Sequence, residues 1–76
     1  MVDTRALRGI IAANGETQIS VAAKIGMPFS TFYSKMRRKC FDSDDMYALR
    51  KVLKMNDRTS VEIFLADAVE QKSTRP

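Results

Sequence analysis

The densest chemistry in this chain lies between Ser30 and Lys39, where Ser30, Tyr33, Ser34, Lys35, Arg37, Arg38 and Lys39 crowd together. Nucleophilic catalysis would need a hydroxyl facing a base. Ser34 and Lys35 are adjacent and Tyr33 and Lys35 are two apart, separations that do not bring side chains face to face on a helix. The chain has no histidine and a single cysteine, Cys40. That removes the commonest general base, any His/Cys metal cluster and an intramolecular disulfide. Cys40 itself reads as a small, half-buried apolar residue. Asp42, Asp44 and Asp45 have the look of a metal loop, yet no glycine turn or distal glutamate follows at the spacing calcium needs. They read instead as the acidic start of a helix. The expectation is a chain that is not an enzyme, with no cofactor, no metal and no small-molecule substrate.

What remains is charge and its placement. From Lys24 to Lys39 the chain carries five basic residues and no acid, +5, while everything outside this window sums to −1 within a total of +4. Concentrated positive charge raises affinity for polyphosphate by releasing condensed counterions, whatever the base sequence. A lone basic run serves equally well as a solvated helix end that complements the macrodipole. The elements that position it therefore decide between the two.

Seventy-six residues with 45% apolar side chains suffice for one thin core, and a domain this short gains from a partner or a dimer interface. The longest apolar runs, Ile10 to Ala13 and Ile63 to Ala66, are four residues, far short of the roughly 20 that span a membrane. Asp3, Arg5 and Arg8 interrupt any secretory signal. A cytoplasmic protein without membrane contact is expected.

The helices are legible from caps and periodicity. Asp3 or Thr4 caps a first helix with Leu7, Ile10 and Ile11 on one stripe, ended by Asn14-Gly15. Thr17 caps a second, with Val21, Ala22 and Ile25 inward, and Gly26 supplies the positive φ that ends it. Gly26-Met27-Pro28 reads as a tight turn into a third helix reaching about Lys39, with Phe32 and Met36 as an i, i+4 apolar pair. Ser43 caps a fourth, with Met46, Leu49 and Leu53 inward, ended by Asn56-Asp57. Thr59 or Ser60 opens a last segment, Val61 to Val69, read as helix in preference to strand. The prediction is an all-α bundle of about five short helices, a domain over 1–70 with a flexible tail at 71–76.

Within that bundle, Ala22, Gly26 and the Phe32/Met36 pair stand where a helix-turn-helix needs a small crossing residue, a glycine turn and an apolar lock. The 21 residues from Thr17 to Arg37 resemble the helix-turn-helix of phage repressors, Cro proteins and their xenobiotic-response-element relatives. Thr17-Gln18, Ala22, Gly26 and Ser30-Thr31-Phe32-Tyr33 carry the likeness. It implies a lambda-repressor-like fold and a sequence-specific regulator of phage or mobile-element type, with residues about 28–39 as the recognition helix in the major groove of double-stranded DNA.

The same resemblance turns Pro28, Phe29, Ser30, Tyr33, Ser34 and Arg37 toward DNA. Arg37 would pair with guanine or clamp a phosphate, Ser30 and Ser34 would contact either, and Phe29 would lie against a thymine methyl. Thr17 and Gln18 would meet a phosphate at the second helix's amino end, and Lys35, Arg38 and Lys39 would anchor the backbone. Pro28 stands where the family usually has a capping Ser or Thr, and Phe29 where a polar base reader is usual, so no hydrogen-bond readout is expected at 29.

A homodimer spanning half-sites about 34 Å apart is the expected assembly. Its interface is placed on the last segment, where Ile63 lies off the main stripe and Phe64, Leu65 and Val69 crowd it. The alternative is an interaction module, such as an antirepressor, that uses the same fold to bind a protein partner. Pro28 and Phe29 in the reading position favour that alternative and the +5 window disfavours it.

Overall fold

The structure, a computed structural model, describes residues 1–66 and is all-helical: α1 (Thr4–Ala13), α2 (Gln18–Lys24), α3 (Phe29–Arg38), α4 (Ser43–Val52) and α5 (Asp57–Phe64). No strand occurs among the described residues, and no helix there is long and apolar enough to cross a membrane. The expected tail at 71–76 and Val69 lie outside the described residues.

Local chemistry sets four of the five helix starts. Asp3 accepts the Ala6 N–H at 3.1 Å, and Thr17 and Ser20 form a reciprocal capping box with bonds of 3.0 and 2.9 Å. Asp42, not Ser43, caps α4 by accepting the Asp45 N–H at 2.9 Å, which moves Ser43 into the first turn. Asn56 caps α5 through the Thr59 N–H at 2.8 Å. The sequence pattern predicts Asn56-Asp57 as the end of the fourth helix and a fifth opening near Val61. Both boundaries fall earlier because Asn56 opens a helix instead of closing one.

Four helices close in the same way, with the residue after a left-handed position donating to the carbonyl five residues before it. Gly15 and Gly26 sit at φ +71° and +72°, with Met27 N–H donating to the Ala22 carbonyl at 2.9 Å. At the ends of α3 and α4 the left-handed position is held by lysine, Lys39 at φ 56° and Lys54 at φ 55°. Neither had a sequence signal, since glycine is the usual occupant. Lysine in this region is strained by about 1–2 kcal/mol. Lys39→Gly is therefore expected to raise stability in urea unfolding by roughly 0.5–1 kcal/mol after the entropy of the unfolded glycine is allowed for.

The core takes one fully buried side chain from each of the first four helices, Leu7, Val21, Phe32 and Leu49, and closes with Ile63 and Phe64 of α5. Phe32 packs tilted on Phe41 with centroids 5.7 Å apart. Four core residues, Val2, Phe41, Leu53 and Met55, lie outside helices; Leu53 continues the stripe of α4 at its cap, and at the other three periodicity has nothing to mark. Two backbone bonds tie the amino-terminal segment in: Val2 N–H to the Lys39 carbonyl at 3.0 Å and Asp3 N–H to the Ile63 carbonyl at 2.7 Å. The first places the start of α1 beside the end of α3, and the second ties it to the end of α5. Cys40 is exposed, contrary to the half-buried expectation, because Lys39 turns the chain so that Phe41 takes the inward position.

Candidate nucleic-acid interface

Helix α3 has a clean inner and outer side. Phe32 and Met36 are buried, whereas Pro28, Phe29, Ser30, Thr31, Tyr33, Ser34, Arg37, Arg38 and Lys39 are all exposed. At 3.6 residues per turn, Phe29, Ser30, Tyr33 and Arg37 share one outward stripe. Phe29 and Tyr33 touch along it with ring centroids 6.1 Å apart, an apolar pair in water beside two arginines. Alone among the five helices, α3 has no side-chain cap, because Pro28 has no oxygen to offer. The first-turn N–H groups of Phe29, Ser30 and Thr31 are left for an outside acceptor.

The basic residues of α3 divide into two sets. Lys35 is half-buried, ion-paired to Asp45 and 3.6 Å from Asp42 of the α4 cap. Its place is between two helices of the same molecule, and so it is not the backbone anchor that the run of charge suggested. Arg37, Arg38 and Lys39 have no carboxylate partner among the described residues. The physical reason is position: Lys35 is one residue before Met36 and faces α4, whereas the following residues turn away from it.

The Lys35 link has a pH signature. Hydrogen bonding to Asp45 raises the Lys35 pKa against the opposing effect of burial. The Asp45 backbone N–H lowers that of Asp42, with Lys35 adding to it. The stability from Asp42 is complete above the ordinary carboxylate range and disappears as pH falls through its lowered value; that from Lys35 is complete below the ordinary ammonium value and disappears as pH rises through its raised one. Lys35→Ala should therefore lower the melting temperature at neutral pH, flatten the acid limb of melting temperature against pH, and leave the salt dependence of duplex binding unchanged. Circular-dichroism melts and anisotropy titrations check the two halves separately.

The amino end of α2 is less open than the sequence suggested. Thr17 serves in the capping box, and Gln18 is half-buried. Glu16, which carried no motif, accepts the Ser20 hydroxyl at 2.7 Å and pairs with Lys24. Those two bonds, Lys24 first, hold its carboxyl below the ordinary value. An anion of the chain's own thus sits where Thr17 and Gln18 were expected to meet a phosphate.

Of the four residues assigned to an interface between copies, Ile63 and Phe64 are core residues of the single chain, and Val69 is outside the described residues. Leu65 alone is exposed, at 50%. The helix starts at Asp57 and its buried stripe is rotated from the one read from Val61, Phe64 and Leu65. Leu65, Val61 and Tyr47 instead border an apolar groove of about 240 Å³ between α4 and α5, with Met46 and Phe64 beneath. No family model matches the chain, and no curated protein or solved structure matches it, so this face has to be read from its own residues.

Proposed function

We propose that this chain is a helix-turn-helix regulator of the phage repressor and Cro type, binding double-stranded DNA with α3 in the major groove. The observation that carries the reading is the exposed side of α3, where the Phe29/Tyr33 pair lies beside Arg37 and Arg38, neither of which forms an ion pair among the described residues. In this reading the Gly26 turn sets the angle between α2 and α3, and Phe32 and Met36 lock α3 to the core so that its other side can enter the groove. Ser30 and Ser34 reach base edges or phosphates. Phe29 and Tyr33 meet thymine methyls and sugar faces, and Arg37 supplies the bidentate contact. A second copy docks through Tyr47, Val61 and Leu65 at the α4–α5 groove, giving the two-fold pairing that half-site recognition needs.

The second reading, a module that binds a protein partner through α3, is favoured by one specific observation: the outward Phe29 and Tyr33 rings, since aromatics anchor protein interfaces. A salt titration separates the two. Selection from a random duplex pool, followed by binding of the selected site across salt concentrations, should give a steep linear fall of log K with log salt if phosphates are neutralised. The absence of any enriched duplex and of salt-sensitive binding would leave the protein-binding reading in its place.

A further inference from the structure

The described cations divide into those with a partner and those without. Lys24, Lys35, Arg50 and Arg58 are each paired with a carboxylate, and Lys51 lies 5.4 Å over the Tyr47 ring. The cations with neither kind of partner are Arg5, Arg8, Arg37, Arg38, Lys39 and Lys54. Four of these, Arg5 and Arg8 from α1 with Arg37 and Lys39 from the end of α3, line one cleft of about 560 Å³. They come from segments about thirty residues apart in the chain and are brought together by the Val2–Lys39 backbone bond at 3.0 Å. The one carboxylate lining the cleft, Asp3, accepts the Ala6 N–H as the α1 cap and offsets one of the four cations, leaving a net excess of three.

Like charges gathered in excess of their counter-charge, here four cations to one carboxylate, repel one another, at a cost to the folded chain that an anion lowers. Guanidinium groups in particular suit phosphate, which they bind through paired N–H donors. The cleft has room for more than one phosphate group, and Arg37 belongs both to it and to the outward stripe of α3.

We propose that the α1–α3 cleft is a phosphate-binding site that takes the sugar-phosphate backbone of duplex DNA beside the groove α3 enters, with Arg5 and Arg8 as its sequence-independent anchors. The proposal rests on the DNA-binding reading for the source of the phosphate, and it extends the footprint to a helix outside the helix-turn-helix. It also makes Lys39 a residue whose strained backbone holds its ammonium at the cleft.

The test uses the full chain, a labelled random-sequence duplex and salt titrations of wild type, Arg5→Ala/Arg8→Ala, Arg5→Lys/Arg8→Lys and, as an exposed-cation control, Arg58→Ala. Each lost phosphate contact should remove about 0.9 from the slope of log K against log salt. The alanine pair is thus expected to lower it by about 2 and the affinity by at least tenfold. The lysine pair should keep most of the slope, and Arg58→Ala should keep all of it. A wild-type slope in the alanine pair, with its fold intact by circular dichroism, overturns the proposal and leaves the DNA reading standing. If wild type binds no duplex, amide shifts on adding tripolyphosphate decide. Shifts at residues 4–8 and 37–39 that vanish in the alanine pair keep the phosphate site while the DNA reading falls, and no shifts there overturn both.

Discussion

Alanine at both Arg37 and Arg38 should lower affinity for a selected duplex site by roughly a hundredfold at moderate salt, with the two residues failing in different ways. Arg37 lies on the outward stripe with Ser30 and Tyr33, within reach of base edges once α3 is in a groove, and no carboxylate of the described chain competes for it. Its loss alone should cost about 1–3 kcal/mol and relax preference at one or two base positions. Arg38 lies about 100° further round the helix, suited to the backbone at the groove's edge. Its loss should weaken all sequences alike and reduce the salt slope by about 1. Competition between the selected site and its single-base variants, measured for each arginine separately, gives both numbers. Unchanged binding by the double variant would mean that α3 does not face the duplex.

The stretch that matters most for this reading was also the most legible. Thr17, Gly26 and the Phe32/Met36 pair do what their types and spacing imply: a cap, a left-handed turn and an apolar lock. These are short-range effects, decided within one or two helical turns by backbone sterics and by local hydrogen bonds. The α5 region was misread for a related reason. Asn56 satisfies the N–H groups of the helix that follows, yet the same residue type also ends helices. The real terminator of α4, a lysine in the left-handed region, has no compositional mark. Taking Val61 and Leu65 as inward with Phe64 set the inferred stripe about 100° off and put Ile63 and Phe64 on a surface when they belong to the core.

Charge was legible in amount but not in direction. Lys35, Arg37, Arg38 and Lys39 form one run in the sequence, and only the packing of α4 against α3 separates Lys35, held by Asp45 and Asp42, from the three that remain without partners. Arg5 and Arg8 had no signal as binding residues, because their contribution depends on the juxtaposition of the first helix with the end of the third. Contacts across thirty residues of chain follow from tertiary packing, which no local pattern encodes.

Phe32→Ala is expected to have the largest effect on stability, and it tests the arrangement on which every functional claim above depends. Phe32 is 0% exposed at the middle of α3 and packs on Phe41 at 5.7 Å. Removing its ring should cost about 3–5 kcal/mol in lost burial and residual cavity. A chain of this size has roughly 4–11 kcal/mol of total stability, and each kcal/mol corresponds to about 4–8 °C. The melting temperature should therefore drop by at least about 12 °C, with a large part of the chain unfolded at body temperature. Phe29→Ala provides the contrast on the same helix, since Phe29 is 40% exposed and touches only Tyr33 among the aromatic rings. It should change stability by less than about 1 kcal/mol and act on binding instead. The pair thus reads out the rotation of α3 about its own axis: were the helix turned so that Phe29 faced inward, the two thermal effects would exchange. A small shift for Phe32→Ala and a large one for Phe29→Ala would remove Tyr33 and Arg37 from the outward stripe, and the major-groove assignment with them.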